Sequence, residues 1–391
     1  MVISLVGLGT RYSFGVFFKS LEAEFALTRG ATSSIFSTYM LLCCVFAILG
    51  GWALDKYGPK KVCFLMGSLT GLSLILTSQT STLWQLYITY GLLLSLGTGA
   101  VYSVVNSTTS RWFVRKRGSA LGITTSGGGV GAIVMAPFAT YLITRLDWRT
   151  ALIVLGLISW LVVGAISIVM RKEPGDVGLL PDGAKAEKAK EGIQENVAGP
   201  AGFSLRESVR VGNFWVLWLL WFFLSFSVHL IFVHVVPYAV DMGFSLMDAA
   251  VIVSLVGGLS IAGRVVVGRI SDATGRKPPA IACALLQVGT LVWLTRAGEL
   301  WMLYAFAMAF GFLWGGLSTM VTALIGDVFG MRSIGAIMGA MSAGWALGAA
   351  IGPAIGGYTY DVSGHYVVAF GIAAALLLVA TFLASLVKRD I

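Results

Sequence analysis

Two short stretches decide how this chain is read: "GWALDKYGPK" at residues 51–60 and "GRISDATGRK" at residues 268–277. At a single offset of 217 residues, Gly51, Asp55, Gly58 and Lys60 fall on Gly268, Asp272, Gly275 and Lys277. The same offset carries Gly118, Gly122, Gly127 and Gly131 onto Gly335, Gly339, Gly344 and Gly348, and Arg115 onto Arg332. One register serving separate segments marks an internal duplication. Within each stretch, Gly51 and Gly268 are expected to permit close helix approach. Asp55 and Asp272 are expected at helix ends, where they can pair with basic residues or cap a neighbouring helix; the second stretch adds Arg276. Such contacts would hold one face of the molecule shut in one state.

Outward from these loops the chain is apolar. Of its 391 residues, 57% are hydrophobic and 12% charged, against about 25% charged in soluble domains. That deficit excludes an ordinary soluble fold. A spanning helix needs about 20 apolar residues, and twelve runs qualify: 1–18, 32–54, 62–78, 83–109, 118–144, 150–170, 212–238, 248–269, 279–296, 300–326, 334–357 and 366–387. The fold class is therefore an all-α membrane protein of twelve helices. It is divided into a six-helix bundle at 1–170, a Pro-, Gly-, Glu- and Lys-rich linker at 171–211 and a second six-helix bundle at 212–391. Two parallel six-helix repeats of this kind are the arrangement expected of secondary transporters.

Charge placement sets orientation. Of the 27 Lys and Arg residues, 20 lie in the linker, the C-terminal tail and the loops after spans 2, 4, 8 and 10, and 5 in the opposite loops. By the positive-inside rule the linker and both termini face the cytoplasm. The net charge of +9 sits between apolar runs and gives no nucleic-acid footprint. Cys43, Cys44, Cys63 and Cys283 lie in apolar stretches without metal-ligand spacing and are expected to be buried thiols. No cleavable signal sequence is visible. The chain opens directly in an apolar run, as expected of a trimmed start.

Charges inside spans point to function. Away from their ends the spans contain no Asp or Glu, but Arg11 and Arg264 lie within them. An arginine offers a bidentate fork for a carboxylate. Arg264, about five residues before the end of span 8, is the candidate anion clamp. Ser260 shares its helix face at i,i+4. Arg11 in span 1 is read either as a cavity residue or as a gating or snorkelling one. His234 in span 7 suits proton handling near neutral pH, more so than His229, and His365 reads as a loop residue. Tyr12, Tyr102, Asn106 and Trp314 complete the candidate cavity lining, with Tyr102 and Asn106 on one face of span 4. Spans 5 and 11 carry glycines four apart, a spacing that lets helices pack closely in membranes. No nucleophile motif, metal cluster, phosphate loop or carboxylate pair occurs, so neither catalysis nor a cofactor is expected.

The paired loops resemble the signature of the major facilitator superfamily. "YSFGVFF" (12–18), "RWFVRKRGSALGI" (111–123), "SIAGRVVVGRISDATGRK" (260–277) and "GDVFG" (326–330) are together similar to the proton-linked monocarboxylate transporters and their bacterial relatives. The resemblance implies proton-coupled symport of lactate- or pyruvate-like anions across a bacterial inner membrane by a functional monomer. It also implies that Arg264 binds the carboxylate. Two positions depart from that family. Ser260 stands where animal members carry an Asp, and Tyr12 where they carry a Lys, both implicated in proton coupling. The proton would then travel through His234 or on the substrate carboxylate beside Arg264. An oxalate/formate-type exchanger shares much of the pattern and would want a second cation such as Arg11. Drug/proton antiport ranks lower. The G-x-x-x-G-P-x-x-G-G at 348–357 resembles an antiporter motif of drug exporters, but theirs lies in the fifth helix.

Overall fold

In lipid every backbone polar group must be satisfied within the structure, and the chain meets this with helices. The computed structural model describes residues 1–113, 117–178, 202–330 and 332–386. Arg115, much of the expected linker and the C-terminal tail lie outside the described residues. Ten helices among the described residues are long and apolar enough to cross a membrane.

The count reaches twelve at two breaks. The first span is divided at Ser13 into α1 (Val2–Tyr12) and α2 (Phe14–Glu24). The helix α3 (Arg29–Ser78) has 50 residues, about 75 Å at 1.5 Å per residue, more than twice a bilayer core. It is interrupted at Gly58, whose φ of 79° and ψ of 165° are non-helical, and Pro59 follows. Spans 2 and 3 are therefore two helices joined at the signature loop.

The fourth span runs through α4 (Leu83–Leu86), a π-helical stretch (Tyr87–Leu93), α5 (Leu94–Thr98) and α6 (Val101–Trp112). Then come α7 (Arg117–Arg145), α8 (Trp148–Val169) and the short α9 (Leu205–Ser208). The remaining spans are α10 (Gly212–Asp241), α11 (Leu246–Thr274), α12 (Lys277–Leu294), α13 (Leu300–Phe329), α14 (Ile334–Ser363) and α15 (Val367–Leu386). The four cysteines form no disulfide.

The described chain divides into two compact units, one of Met1–Arg11 with Leu42–Val197, the other of Tyr12–Leu41 with Ala198–Ile391. The duplication is legible in the packing inside each. In the first unit, a Cβ on Gly127 would meet Met1, and one on Gly131 would meet Leu5 and Gly9. In the second, a Cβ on Gly344 would meet Trp218, and one on Gly348 would meet Phe222 and Phe226. Every partner is displaced by the same 217 residues as the glycines themselves. Gly122, Gly335 and Gly339 have open space instead, so glycine spacing overstated the contact at one end of each helix.

The signature loops repeat in backbone conformation too. Gly275 adopts φ 81° and ψ 169°, matching Gly58. Left-handed φ of this kind is accessible mainly to glycine, which explains why both motifs keep one there. The expected close approach at Gly51 and Gly268 is not found. A Cβ on Gly51 would reach nothing nearer than the Ser103 hydroxyl at 3.9 Å, and one on Gly268 nothing within 4 Å. The close contact belongs to Gly50, which lies against Ala100. A one-residue shift on a helix turns the face by about 100°, enough to exchange a packed position for an open one.

The aspartates behave differently in the two units. Asp55 pairs with Arg111 at 2.9 Å, and Arg111 also reaches Glu173 at 3.7 Å. The repeat position of Arg111 is Val328, so Asp272 finds no such partner and pairs locally with Arg276 at 2.8 Å. Arg332 lies 3.9 Å from Glu207. Lys60 is exposed, and Lys277 opens α12.

Candidate anion site

The second unit brings α11 and α13 into backbone contact. Gly311 lies against the Val256 carbonyl, Gly315 against the Ser260 carbonyl and Gly263 against the Phe312 carbonyl. Larger side chains at these three positions would hold the helices apart; small residues are what make the approach possible. The contact sets Arg264 of α11 beside Trp314 of α13, with the guanidinium carbon 5.9 Å from the indole centroid.

Two donors at this place have no hydrogen-bond partner: Arg264 Nε and Trp314 Nε1 are both buried and unsatisfied. Trp314 as a whole is 2% exposed. A buried donor without an acceptor carries a desolvation cost of about 1–3 kcal/mol. No carboxylate pairs with Arg264 among the described residues, so the site has positive charge and two free N–H groups. That donor set suits an anion with planar oxygen acceptors.

An aromatic wall adjoins it. Trp314 meets Tyr12 edge-on at 6.2 Å and Phe232 at 5.4 Å, and Tyr12 stacks on Phe232 at 4.3 Å. Phe232 went unnoticed in the sequence because it is one of many aromatics in an apolar run. Gly15 permits the approach, lying against the Phe232 carbonyl. Ser260 does not open into this group: it is 1% exposed and its hydroxyl donates to the Gly257 carbonyl at 2.7 Å.

His234 belongs to another cluster of the same unit. Its Nε2 lies 2.9 Å from the Pro353 carbonyl and 3.3 Å from the Ser33 hydroxyl, and its Nδ1 lies 3.1 Å from the Tyr366 hydroxyl. A carbonyl only accepts, so Nε2 carries hydrogen and Nδ1 accepts from Tyr366. Nearby, Arg29 pairs with Asp241 at 2.6 Å and Glu22 at 3.2 Å. The sequence counted Arg29 as a loop cation; the feature that singles it out is its place in the first turn of a long span. His229 is buried, with Nδ1 3.2 Å from Ser225, and His365 is exposed beyond α14.

The other candidates lie in the first unit. Arg11 is 6% exposed, with Nη2 4.0 Å from the Cys43 sulfur. Tyr102 is exposed on α6. Asn106 lines an open cavity of about 410 Å³ with Ser107, Ser110 and Arg111.

A chain of membrane-crossing helices built twice over, with an unpaired cation inside a span, is a polytopic membrane carrier. The family comparison makes the assignment specific. The family model described as Major Facilitator Superfamily matches residues 1–295 and 265–390, and the chain belongs to that family. Similar curated proteins include monocarboxylate transporter 12 of Rattus norvegicus, 26% identical over 95% of this chain and 80% of its own length. Monocarboxylate transporter 13 of Bos taurus is 27% identical over 96% of this chain and 84% of its own length. The oxalate:formate antiporter of Oxalobacter formigenes is 26% identical over 82% and 74%. Among solved structures, a D-xylose-proton symporter superposes with a TM-score of 0.78 at 17% identity, covering 99% of this chain and 97% of its own. An inward-facing bacterial homologue of the human lysosomal transporter Spinster superposes with a TM-score of 0.74 at 15% identity, covering 97% and 95%; both likenesses speak to the fold. The chain is thus a facilitator-type membrane transporter rather than an enzyme, related to carriers of monocarboxylates and other organic anions.

Proposed function

We propose that the protein is a proton-coupled symporter of small monocarboxylates such as L-lactate or pyruvate, working by alternating access. The bundles of this cycle are residues 1–170 and 212–391, joined by a cytoplasmic linker at 171–211, in a bacterial inner membrane. The observation that carries the reading is the pair of unsatisfied donors, Arg264 Nε and Trp314 Nε1, beside an aromatic wall. A carboxylate satisfies both donors and neutralises the guanidinium. A short organic tail then lies against Tyr12 and Phe232.

Charge is the source of coupling. An uncompensated arginine in a membrane is costly to enclose, so the empty carrier resists burying the site. Pairing with the substrate carboxylate removes that penalty and permits the halves to exchange access. The proton accompanies the substrate, either on its carboxylate or through His234. Tyr102 and Asn106 on the cavity face of span 4 contribute polar lining, and Arg11 tunes the electrostatics. The signature residues Asp55, Lys60, Asp272, Arg276, Lys277, Arg115 and Arg332 govern closure at the linker side.

The second reading, organic anion exchange, is favoured by the Oxalobacter relative. The two separate in one experiment: uptake into proteoliposomes of labelled lactate in competition with pyruvate, acetate, oxalate and formate, with and without a pH gradient. Symport predicts gradient-driven uptake competed by monocarboxylates. Uptake that needs an internal counter-anion, ignores the gradient and is competed by oxalate refutes it in favour of exchange.

A further inference from the structure

Within the first unit, α6 carries a polar stripe. Tyr102, Ser103, Asn106, Ser107, Ser110 and Arg111 recur at spacings of three and four and so share one side of the helix, over about 14 Å at 1.5 Å per residue. All six are at least partly exposed, whereas Val101, Val104, Val105 and Thr109 are buried. A stripe of this kind on a spanning helix cannot face lipid without cost. Its lower part does not: Asn106, Ser107, Ser110 and Arg111 line one open cavity of about 410 Å³.

The donors in that cavity are free. A hydroxyl within a helix can donate back to a carbonyl of its own helix, as Thr98 does to Leu94 and Thr124 to Ala120. Among the described residues, the side chains of Asn106, Ser107 and Ser110 make no hydrogen bond. Arg111 spends Nη2 on Asp55 at 2.9 Å and holds Nη1 3.7 Å from Glu173, which leaves Nε unbonded. Lys172, with Nζ 3.4 Å from the Asp55 carbonyl, offsets the second carboxylate. In sequence, Arg115, Lys116 and Arg117 follow. Two hydroxyls, an amide and one guanidinium edge thus meet at one cavity, and each can turn a hydrogen toward an oxyanion.

The duplicated scaffold does not require this set. At the offset of 217, Asn106, Ser107 and Arg111 become Ala323, Leu324 and Val328, and α13 forms the same span without them. A need of helix packing would recur in both halves. We propose that the stripe is a second, weaker binding station for small carboxylates, in which Ser107, Ser110 and Arg111 donate to the carboxylate beside Asn106. The ligand class rests on the symport reading, but the station shares no residue with the Arg264–Trp314 site. Asp55 already takes one edge of the Arg111 fork, so the anion is held by the other edge and the hydroxyls, weakly enough to leave again. The station raises the local concentration of anion at the linker end of the unit.

The test uses Ser107→Cys as a reporter in the purified, full-length protein. The thiol is close to a hydroxyl in size and leaves Asn106, Ser110 and Arg111 in place. N-ethylmaleimide, which is uncharged, is the label, read by peptide mass spectrometry while sodium L-lactate replaces sodium chloride at constant ionic strength. At about three times Kd a site is vacant about a quarter of the time, so labelling should slow about fourfold. The slowing should persist when Arg264→Ala is added. It should be largely lost at the same lactate concentration with Ser110→Ala or Arg111→Gln, because removing a hydrogen bond to a charged carboxylate weakens Kd about tenfold. Ser110→Ala keeps the Asp55–Arg111 pair, so it decides the matter where Arg111→Gln fails to fold. No slowing by lactate, slowing lost with Arg264→Ala alone, or slowing undiminished in Ser110→Ala overturns the station. Protection of the thiol without any gradient-driven lactate uptake would refute the symport reading and leave the station standing.

Discussion

Replacing Trp314 by Phe separates a ligand-binding indole from a merely structural one, because the two roles move different quantities. The substitution keeps an aromatic ring against Tyr12 and Phe232 but deletes the unsatisfied Nε1 donor. Loss of a buried unpaired donor relieves about 1–3 kcal/mol, and the smaller ring gives back a similar amount as a cavity. The melting temperature of the unliganded protein should therefore stay close to the parent's. Binding should not. A hydrogen bond to a charged carboxylate is worth about 1.5–3 kcal/mol, which weakens Kd by at least about tenfold. At a ligand concentration 100 times the parental Kd, ligand stabilisation is about 2.7 kcal/mol, and a tenfold weaker Kd cuts it to about 1.4 kcal/mol. The assay is thermal unfolding with and without L-lactate, or whichever monocarboxylate competes best in uptake. An undiminished ligand-induced shift in Trp314→Phe would show that the indole N–H does not meet the substrate.

Other perturbations read the remaining parts. Arg264→Ala should abolish saturable uptake, and Arg264→Lys, which keeps the charge but loses the fork, should raise KM about tenfold or more; intact flux in the alanine variant removes Arg264 from the site. Gly58→Ala and Gly275→Ala impose similar left-handed strain at repeat-related positions. Each should cost about 1–3 kcal/mol and lower the unfolding midpoint by comparable amounts; a neutral result for either denies the strain. His234→Ala should flatten the pH dependence of uptake if the ring carries the proton, and an unchanged profile assigns the proton to the substrate. Asp147 caps α8, and hydrogen bonds from Thr150 hold its carboxyl below the usual carboxylate range. Its stabilisation is present above the unfolded-state value and fades as pH falls through the lower folded-state one. Asp147→Ala should cost about 1 kcal/mol at neutral pH, with the difference from the parent shrinking in acid.

Much of the architecture could be read from the chain because lipid imposes a coarse rule: about 20 apolar residues make a span, and a duplicated motif fixes where the halves correspond. The 217-residue register reappears in Gly131 against Leu5 and Gly348 against Phe222, contacts made only of positions the repeat already relates. Gly51 misled because helical packing is sensitive to single residues, and nothing in the motif distinguishes it from Gly50. The first span is bounded at 18 in sequence because Lys19, Ser20, Glu22 and Glu24 end the apolar run, yet the helix itself continues through them to Glu24.

Arg264 was visible for an energetic reason: a cation inside an apolar span is rare unless it has work to do. Arg29 was invisible for the converse reason. It stands at a helix start, where a lysine or arginine is unremarkable, and its partners Asp241 and Asp361 lie far along the chain, each in turn looking like a terminal charge. Only three-dimensional placement makes them one cluster. The same placement bears on the proton. Ser260 is bonded to its own helix, Tyr12 is stacked on Phe232, and both nitrogens of His234 are hydrogen-bonded, to Tyr366 and to the Pro353 carbonyl. Protonating Nδ1 would turn an acceptor into a donor, and the Tyr366 hydroxyl would then accept from both Arg29 and His234 and direct its own hydrogen elsewhere. A proton on His234 therefore requires the Tyr366 hydroxyl to redirect its hydrogen away from Nδ1.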